Sequence, residues 1–269
     1  MQASTERIHI RHAAPPPRSA RLRELQGHDE LAVCGVDTHA AVELLDRVLD
    51  AGAAGVDGAG SAATLSASDR DGALAALHRA RWGDRIVASL ACTGCGAMND
   101  LSFELSALQR QLWQAAEPTR AVAPRALDDA QGGHWRLPGA DDEDAAAQLG
   151  VVAGRAQLLA LVCSDMQPDA QAALLADPQT AGERLEALAP LLDVDLEARC
   201  TECGHTQLAR FDIQSFVLQR LLDEREAVLG EVHALARGYG WSLHEILSLP
   251  CSLRRSLVQR LTTTGSAFS

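Results

Sequence analysis

The clearest hydrophobic pattern in the chain is an apolar stripe at helical spacing over residues 214–237, which predicts one amphipathic helix. A Gly-Tyr-Gly-Trp corner over residues 238–241 ends it. Ser242 then begins a short helix, with Glu245 three positions on as in a capping box, and Pro250 ends that helix. A basic last helix with Arg254, Arg255 and Arg260 follows. The stripe consists of Phe216, Val217, Leu221, Val228, Val232 and Leu235.

Five further segments have helical patterns. One begins at the candidate N-cap Thr38 and extends to about residue 50, and another begins after Ser66 or Ser68 and ends before Gly83. The remaining three are predicted over residues 106–114, 142–163 and 180–192.

Alternation of apolar and polar residues predicts two β-hairpins. Residues 85–91 alternate weakly, and Leu101, Phe103 and Leu105 alternate clearly after them. A second pair of strands is predicted over residues 194–199 and 207–212. The polar connection over residues 116–140 is broken by proline and glycine, and we expect one or two short strands around Ala121 and Trp135.

These elements divide the chain into five segments. Residues 1–20, with three consecutive prolines, are predicted to be a disordered lead. A first helical half with a hairpin covers residues 21–115, and an irregular connection covers 116–140. A second helical half with a hairpin covers 141–213, and C-terminal helices cover 214–264. The predicted fold class is α+β, mainly α-helical.

The two hairpins repeat each other at a fixed offset of 108 residues (200 − 92), and each carries a Cys-x-x-Cys-Gly turn. The turns are Cys-Thr-Gly-Cys-Gly over residues 92–96 and Cys-Thr-Glu-Cys-Gly over residues 200–204. The match extends into the flanking strands. It pairs Ile86 with Val194, Ala88 with Leu196, Phe103 with Phe211, Glu104 with Asp212, Leu105 with Ile213 and Leu108 with Phe216.

The cysteine turns predict one structural zinc per chain, bound by Cys92, Cys95, Cys200 and Cys203. Two thiolates separated by two residues reach one ion, and the glycine after them permits a tight turn. The two hairpins would then be pseudo-repeated zinc knuckles that share one four-cysteine site. His205 follows the second pair and is either a substitute ligand or, more in keeping with four available thiolates, a residue outside the coordination shell. Cys34, Cys163 and Cys251 lack ligand spacing and are predicted to be small buried residues.

Composition restricts the classes of function. The net charge is −12, so nonspecific binding to a phosphate backbone, which requires clustered basic residues, is disfavoured. No apolar run reaches the roughly 20 residues that span a bilayer, and we expect a cytoplasmic protein without a membrane partner. There is also no P-loop, dinucleotide-binding glycine motif or nucleophile elbow. We therefore expect a protein that is not an enzyme.

The C-terminal segment resembles the baseplate hub assembly chaperone family of T-even-type contractile phage tails, in the form found with bacterial contractile injection systems. The resemblance is carried by the Tyr-Gly-Trp-Ser corner over residues 239–242, by Glu-Ile-Leu-Ser-Leu-Pro over 245–250 and by the arginine-rich last helix. The second cysteine turn, Phe-Asp-Ile over 211–213 and Arg-Trp-Gly-Asp-Arg over 81–85 add to it.

This resemblance implies a non-enzymatic assembly chaperone, or a minor component, of the baseplate hub, with hub or spike proteins as partners. The helix over 214–237 and the residues Tyr239, Trp241, Arg254 and Arg255 are the expected partner-binding positions. The alternative is a zinc-ribbon regulator that binds nucleic acid through the helix containing Arg254, Arg255 and Arg260.

Overall fold

The computed structural model describes residues 6–12, 18–50, 61–130 and 132–266, which form an α+β fold with four small antiparallel sheets. The helices are α1 Gly27–Ala32, α2 Thr38–Val48, α3 Ala67–Trp82, α4 Leu105–Ala115, α5 Ala140–Gln148, α6 Val151–Val162, α7 Pro168–Ala176, α8 Pro178–Leu188, α9 Ile213–Asp223, α10 Arg225–Tyr239, α11 Leu243–Leu247 and α12 Cys251–Ser266. The strands are β1 Glu6–Ile10, β2 Arg18–Leu22, β3 Leu49–Asp50, β4 Arg85–Ala91, β5 Met98–Glu104, β6 Thr119–Ala123, β7 Ala126–Asp129, β8 His134–Arg136, β9 Asp193–Arg199 and β10 Thr206–Asp212.

The centre of the main core is α3, whose middle is buried on all sides. Residues 73–77 of this helix are 0–2% exposed, so no side of α3 faces solvent over this stretch. Its first turn is capped by Ser66, which accepts a hydrogen bond from the backbone N–H of Asp69. Helix α9 and the first sheet pack against α3, and α2 packs against α9 and completes this core. Helix α2 is capped by Asp37 rather than by the predicted Thr38.

Part of the predicted disordered lead is an ordered β-hairpin, so that expectation was wrong for the described residues. Strands β1 and β2 pair antiparallel, and β2 also pairs with β3. Ile8 and Ala20 are each 6% exposed and join the main core. The Asp69 carboxylate accepts backbone hydrogen bonds from Arg11 (2.7 Å) and His12 (3.1 Å). Residues 1–5 and 13–17, including the three prolines, lie outside the described part.

The helix predicted over residues 142–163 is two helices, α5 and α6. Gly150 separates them with a positive φ of 79°, a conformation that continues neither helix and that glycine adopts without steric cost. Helix α7 has no counterpart in the sequence prediction, although Pro168 stands in its first turn, where proline is tolerated. The connection over 116–140 contains three paired strands, β6–β8, and Leu127 and Trp135 from this sheet centre a second, smaller core.

The helix predicted over residues 214–237 is also two helices, because α9 ends and α10 begins around Glu224. The Glu224 carboxylate accepts hydrogen bonds from Trp82 (2.7 Å), Arg81 (2.7 Å) and Arg255 (3.1 Å). Residues of α3 and α12 thus bond to the residue at which the two helices separate. The predicted capping box at Ser242 and Glu245 is present.

The apolar stripe of this segment faces the interior. Val217, Leu221, Val228 and Leu235 are at most 2% exposed, so the stripe is not a surface for a partner. None of the helices in the described ranges combines the length and the apolar character that crossing a membrane requires.

Candidate metal centre

Two hairpins with the same pairing pattern lie side by side. Strands β4 and β5 pair over seven positions, and so do β9 and β10. Their bases are joined by Phe103 and Phe211, whose rings meet edge to face with centroids 5.0 Å apart. These two residues are related by the same offset of 108 (211 − 103). Because apolar and polar residues alternate along both hairpins, the matched positions can meet across the interface.

The turns at the tips of the hairpins have matching hydrogen bonds. In the first turn, the N–H of Gly96 donates to the carbonyl of Cys92 (2.8 Å), and in the second, the N–H of Gly204 donates to that of Cys200 (3.0 Å). Both glycines have positive φ, 75° and 74°. A side chain at either position would strain the turn that brings the two sulfur atoms of its pair together.

The four predicted cysteines come together in one cluster. Their sulfur atoms all lie within 4.8 Å of one another. The sulfurs of Cys92 and Cys203 are 3.7 Å apart, as are those of Cys95 and Cys200. These distances are far longer than the roughly 2.05 Å of a disulfide. Cys92 and Cys200 are buried, whereas Cys95 and Cys203 are exposed. The arrangement is compatible with a metal site.

Two amide side chains connect each turn to the opposite hairpin. Asn99 of β5 accepts from the backbone N–H of Thr201 (3.0 Å) and donates to the sulfur of Cys200 (3.4 Å). Gln207 of β10 accepts from the backbone N–H of Thr93 (2.7 Å) and donates to the carbonyl of Ala91 (3.0 Å). Sequence reasoning missed both amides, although the offset of 108 (207 − 99) relates them.

His205 lies beside the cluster and is not part of it. Its Nε2 is 3.0 Å from the hydroxyl of Thr93, and its ring lies against Gly94, close enough to crowd a Cβ there. The imidazole therefore connects the second turn to the first through Thr93. This placement favours the interpretation of His205 as a residue outside the coordination shell.

The electrostatics of the cluster differ between its members. The pKa of Cys200 is lowered to about 6, first by a hydrogen bond from the backbone N–H of Cys203 and also by the Asn99 amide. At Cys95 the backbone N–H of Ala97 favours the thiolate, but the neighbouring thiols, Cys203 first, raise its pKa to about 12. Four crowded sulfurs therefore do not all ionise without a cation to balance their charge.

The three other cysteines are not part of the cluster. Cys163 and Cys251 are buried, as predicted, and burial raises the pKa of both thiols. Cys34 is exposed and donates to the carbonyl of Ala32 (3.1 Å), so its predicted burial was wrong. It lies just after α1, where the chain turns toward α2.

The two aromatic residues predicted to bind a partner are on the surface. Tyr239 and Trp241 are 38% and 37% exposed. Their rings stack at 4.9 Å with an angle of 22° between the planes. Leu243, 58% exposed, follows them at the start of α11. The corner therefore presents two adjacent aromatic rings to solvent, and their role as partner-binding residues remains a prediction.

The predicted surface role of Arg254 was wrong, because this side chain is fully buried. It pairs with Glu30 and, at 2.6 Å, with Glu231. Arg255 is partly exposed and pairs with Glu224 (3.1 Å) and Glu231 (3.3 Å). Both guanidinium groups are paired with carboxylates of α1 and of residues 224–231, and burial of Arg254 keeps this side chain from contact with phosphates. The nucleic-acid alternative thus loses Arg254, while Arg255 is paired and Arg260 lies exposed on the same helix.

Comparison of the chain with protein-family models, with curated proteins and with solved structures found no match.

Proposed function

We propose that the four cysteine thiolates bind one zinc ion whose role is structural. A zinc–sulfur bond of about 2.3 Å places the sulfurs of a tetrahedral site about 3.8 Å apart. The sulfurs of Cys92 and Cys203, and those of Cys95 and Cys200, are 3.7 Å apart, which supports this assignment. Four thiolates complete the coordination shell, so no position remains for a substrate or a reactive water. In this proposal the two hairpins are zinc knuckles that share the one ion.

Zinc binding is tested by metal analysis of the purified protein and two cysteine variants. We expect about one zinc per chain in the wild type, loss of the metal in Cys200→Ser and full retention in Cys34→Ser. Cys34 is a matched control because it is a cysteine outside the cluster. A Cys200→Ser protein that keeps its zinc, or a wild type that binds none, would refute the assignment.

We further propose that the protein is a non-enzymatic assembly chaperone, or a minor component, of the baseplate hub of a contractile phage tail-like injection system. The observation that carries this proposal is the exposed, stacked pair of Tyr239 and Trp241, which lies within the segment that resembles the hub chaperones. Exposed aromatic residues of this kind are typical anchors of protein interfaces.

Co-expression with hub and spike proteins encoded near the gene tests this function. We expect the tagged chain to co-purify with one of them, and Tyr239→Ala combined with Trp241→Ala to reduce recovery at least tenfold. Leu208→Ala is the matched control, because Leu208 is an exposed apolar residue on β10, 68% exposed. Sheath, tube and spike genes beside this gene would support the same conclusion. Salt-dependent binding of DNA without any hub partner would favour a regulator instead.

A further inference from the structure

A groove with a volume of about 910 Å³ lies away from the cysteine cluster, between the start of α3 and helices α5, α6 and α8. None of the four cysteines lines it. Much of its wall is apolar and is formed by Leu158, Leu159, Val162, Leu185 and Ala189. A volume of this size is within the range of natural binding sites.

The apolar surface does not stop at the groove. Val151, at the start of α6, lines the groove and is 90% exposed. Its neighbours Leu149 and Val152 are 55% and 85% exposed. An occupant that covers these residues as well must extend beyond the groove, which favours a polypeptide over a compact small molecule.

One wall of the groove contains buried polar atoms without partners. Arg70 is 3% exposed, and one nitrogen of its guanidinium donates to Glu143 at 2.7 Å. Within the described residues, Nε and Nη1 of Arg70 and Oε1 of Glu143 have no hydrogen-bond partner. Unpaired polar atoms in buried positions are costly. This wall therefore lacks acceptors for two nitrogens of Arg70 and a donor for one oxygen of Glu143.

The charged residues around the groove are mostly acidic. Its lining contains two arginines and five carboxylates, a formal balance of −3 (2 − 5) when all are ionised. Glu186 of α8 is an exposed member of this set. Asp193 is already paired with Arg210, so the attraction of a cation to this surface depends on the other carboxylates, and above all on the exposed Glu186. The arginines are Arg70 and Arg155, and the carboxylates are those of Asp71, Glu143, Glu186, Asp193 and Asp212.

We propose that this groove binds an amphipathic helix of a partner protein, with its apolar face toward α6 and α8 and a lysine or arginine toward Glu143 and Glu186. Such a segment supplies both kinds of missing group, because its basic side chain donates to Glu143 and its carbonyl oxygens accept from the two nitrogens of Arg70. A fatty acid would supply only the acceptor, and an alkylamine only the donor. This inference goes beyond the function proposed above, since it requires neither the metal nor a baseplate.

Two glycines provide a matched pair of variants for the test. Gly182 of α8 lines the groove, and Gly230 of α10 does not. A Cβ built on either would have no atom within 4 Å, so both positions accept a larger side chain. Gly182→Trp fills the groove, and Gly230→Trp adds the same bulk elsewhere. A second pair reverses one charge on α8. Glu186→Arg does so at a residue that lines the groove, and its control Glu183→Arg does so at a residue that does not.

The zinc-loaded chain is titrated into a fluorescein-labelled helical peptide of leucine and lysine, about four turns long, while fluorescence anisotropy is recorded. Its counterpart has glutamate in place of lysine. We expect the lysine peptide to bind, and Gly182→Trp and Glu186→Arg each to weaken binding at least tenfold. Gly230→Trp and Glu183→Arg should bind as the wild type does. Circular dichroism checks folding, and Glu186→Arg carries the test if Gly182→Trp misfolds.

Five outcomes would overturn the proposal, and four of them are results of the peptide titrations. The first three are absence of binding of the lysine peptide, binding of the glutamate peptide with the same affinity, and an affinity for the lysine peptide that none of the four variants changes. The fourth is displacement of the peptide by dodecylamine that is itself weakened by Gly182→Trp and Glu186→Arg, which would indicate a small cationic ligand. A wild-type dimer that Gly182→Trp dissociates, without peptide binding, would assign the groove to a second copy and equally overturn it. Zinc content should be unchanged in every variant, so failure here is distinguishable from failure of the metal assignment.

Discussion

At the scale of single residues, the metal centre depends on side chains that are not ligands. Asn99 and Gln207 each bond to the cysteine turn of the other hairpin, so each hairpin orients its neighbour's sulfur atoms. Groups that hold metal ligands in place commonly affect metal affinity strongly. The two amides thus hold the hairpins together at the position where the sulfur atoms of the cluster meet.

We predict that Asn99→Ala lowers zinc affinity roughly 10- to 100-fold, because it removes a hydrogen bond to Cys200 and frees the second turn. Gln207→Ala should have a comparable effect through the first turn. Competition with a chromogenic chelator measures both affinities. Gln219→Ala is the control, since Gln219 is an exposed amide that bonds only within α9, to Asp223. If all three variants bind zinc as the wild type does, the amides do not support the site.

Asp71 is a second residue whose environment has a measurable consequence. Burial raises its pKa to about 7, against a hydrogen bond from the backbone N–H of Leu192 that lowers it. Arg70 lowers this pKa, and Asp212 and Glu143 raise it. In the unfolded chain the carboxyl has its ordinary pKa near 3.8. The folded state therefore binds more protons between about pH 4 and pH 7, and stability falls as pH rises through that window.

We predict that Asp71→Asn removes this loss, since an amide oxygen can still accept from Leu192 and carries no charge. The variant should gain stability relative to the wild type as pH rises from 5 to 8, by about 2 to 3 kcal/mol. Urea unfolding at both pH values measures the difference. An Asp71→Asn protein whose stability changes with pH as the wild type's does would show that Asp71 ionises normally in the fold.

At the scale of secondary-structure elements, a buried ion-pair network determines how the C-terminal helices pack. It connects α1, α3, α10 and α12 through the carboxylates of Glu30, Glu224 and Glu231. Glu224 is the residue at which α9 and α10 separate. The prediction of helical structure over residues 214–237 was therefore correct, but tertiary contacts interrupt the helix at Glu224. The guanidinium groups of the network are those of Arg81, Arg254 and Arg255.

We predict that Arg254→Met lowers the free energy of unfolding by about 3 kcal/mol, because it leaves the buried Glu30 with fewer partners. Arg210→Met is the matched control. Arg210 also pairs with a carboxylate, that of Asp193, but its side chain is 72% exposed, and loss of an exposed pair costs about 0–1 kcal/mol. Chemical denaturation measures both. Equal effects of the two substitutions would contradict the role of burial.

At the scale of the whole molecule, the cysteine cluster joins hairpins that are far apart in sequence. The chain between Cys95 and Cys200 includes the second core and helices α4–α8. A cross-link across about 100 residues reduces the freedom of the unfolded chain by about 4 to 5 kcal/mol in the loop-closure description. A bound ion would act in a similar way, in addition to its own binding energy.

We predict that removal of the metal with a chelator lowers the unfolding midpoint by roughly 10 °C. Cys200→Ser should have a similarly low midpoint and no response to the chelator. Differential scanning calorimetry of both proteins, with and without chelator, measures the effect. A wild type whose midpoint does not change when its zinc is removed would show that the metal does not hold the two halves of the fold together.

The sequence by itself determined the local elements and the identity of the cluster. Hydrophobic period, capping residues such as Ser242 and the turn glycines Gly96 and Gly204 act within a few residues, so they can be recognised without a fold. The offset of 108 residues then paired the two cysteine turns correctly. The same offset also relates Asn99 to Gln207, but their role could not be recognised before the hairpins were placed side by side.

Only the tertiary structure decided where a segment with a helical pattern is interrupted and which charged groups are buried. The break at Glu224, the order of the N-terminal hairpin and the burial of Arg254 all result from contacts between residues far apart in sequence. Arginine in an amphipathic helix is usually exposed. A pattern along one helix does not show the carboxylates that α1 and α10 bring to Arg254. The groove beside α6 exists for the same reason, because its walls come from four helices that meet only in the folded chain.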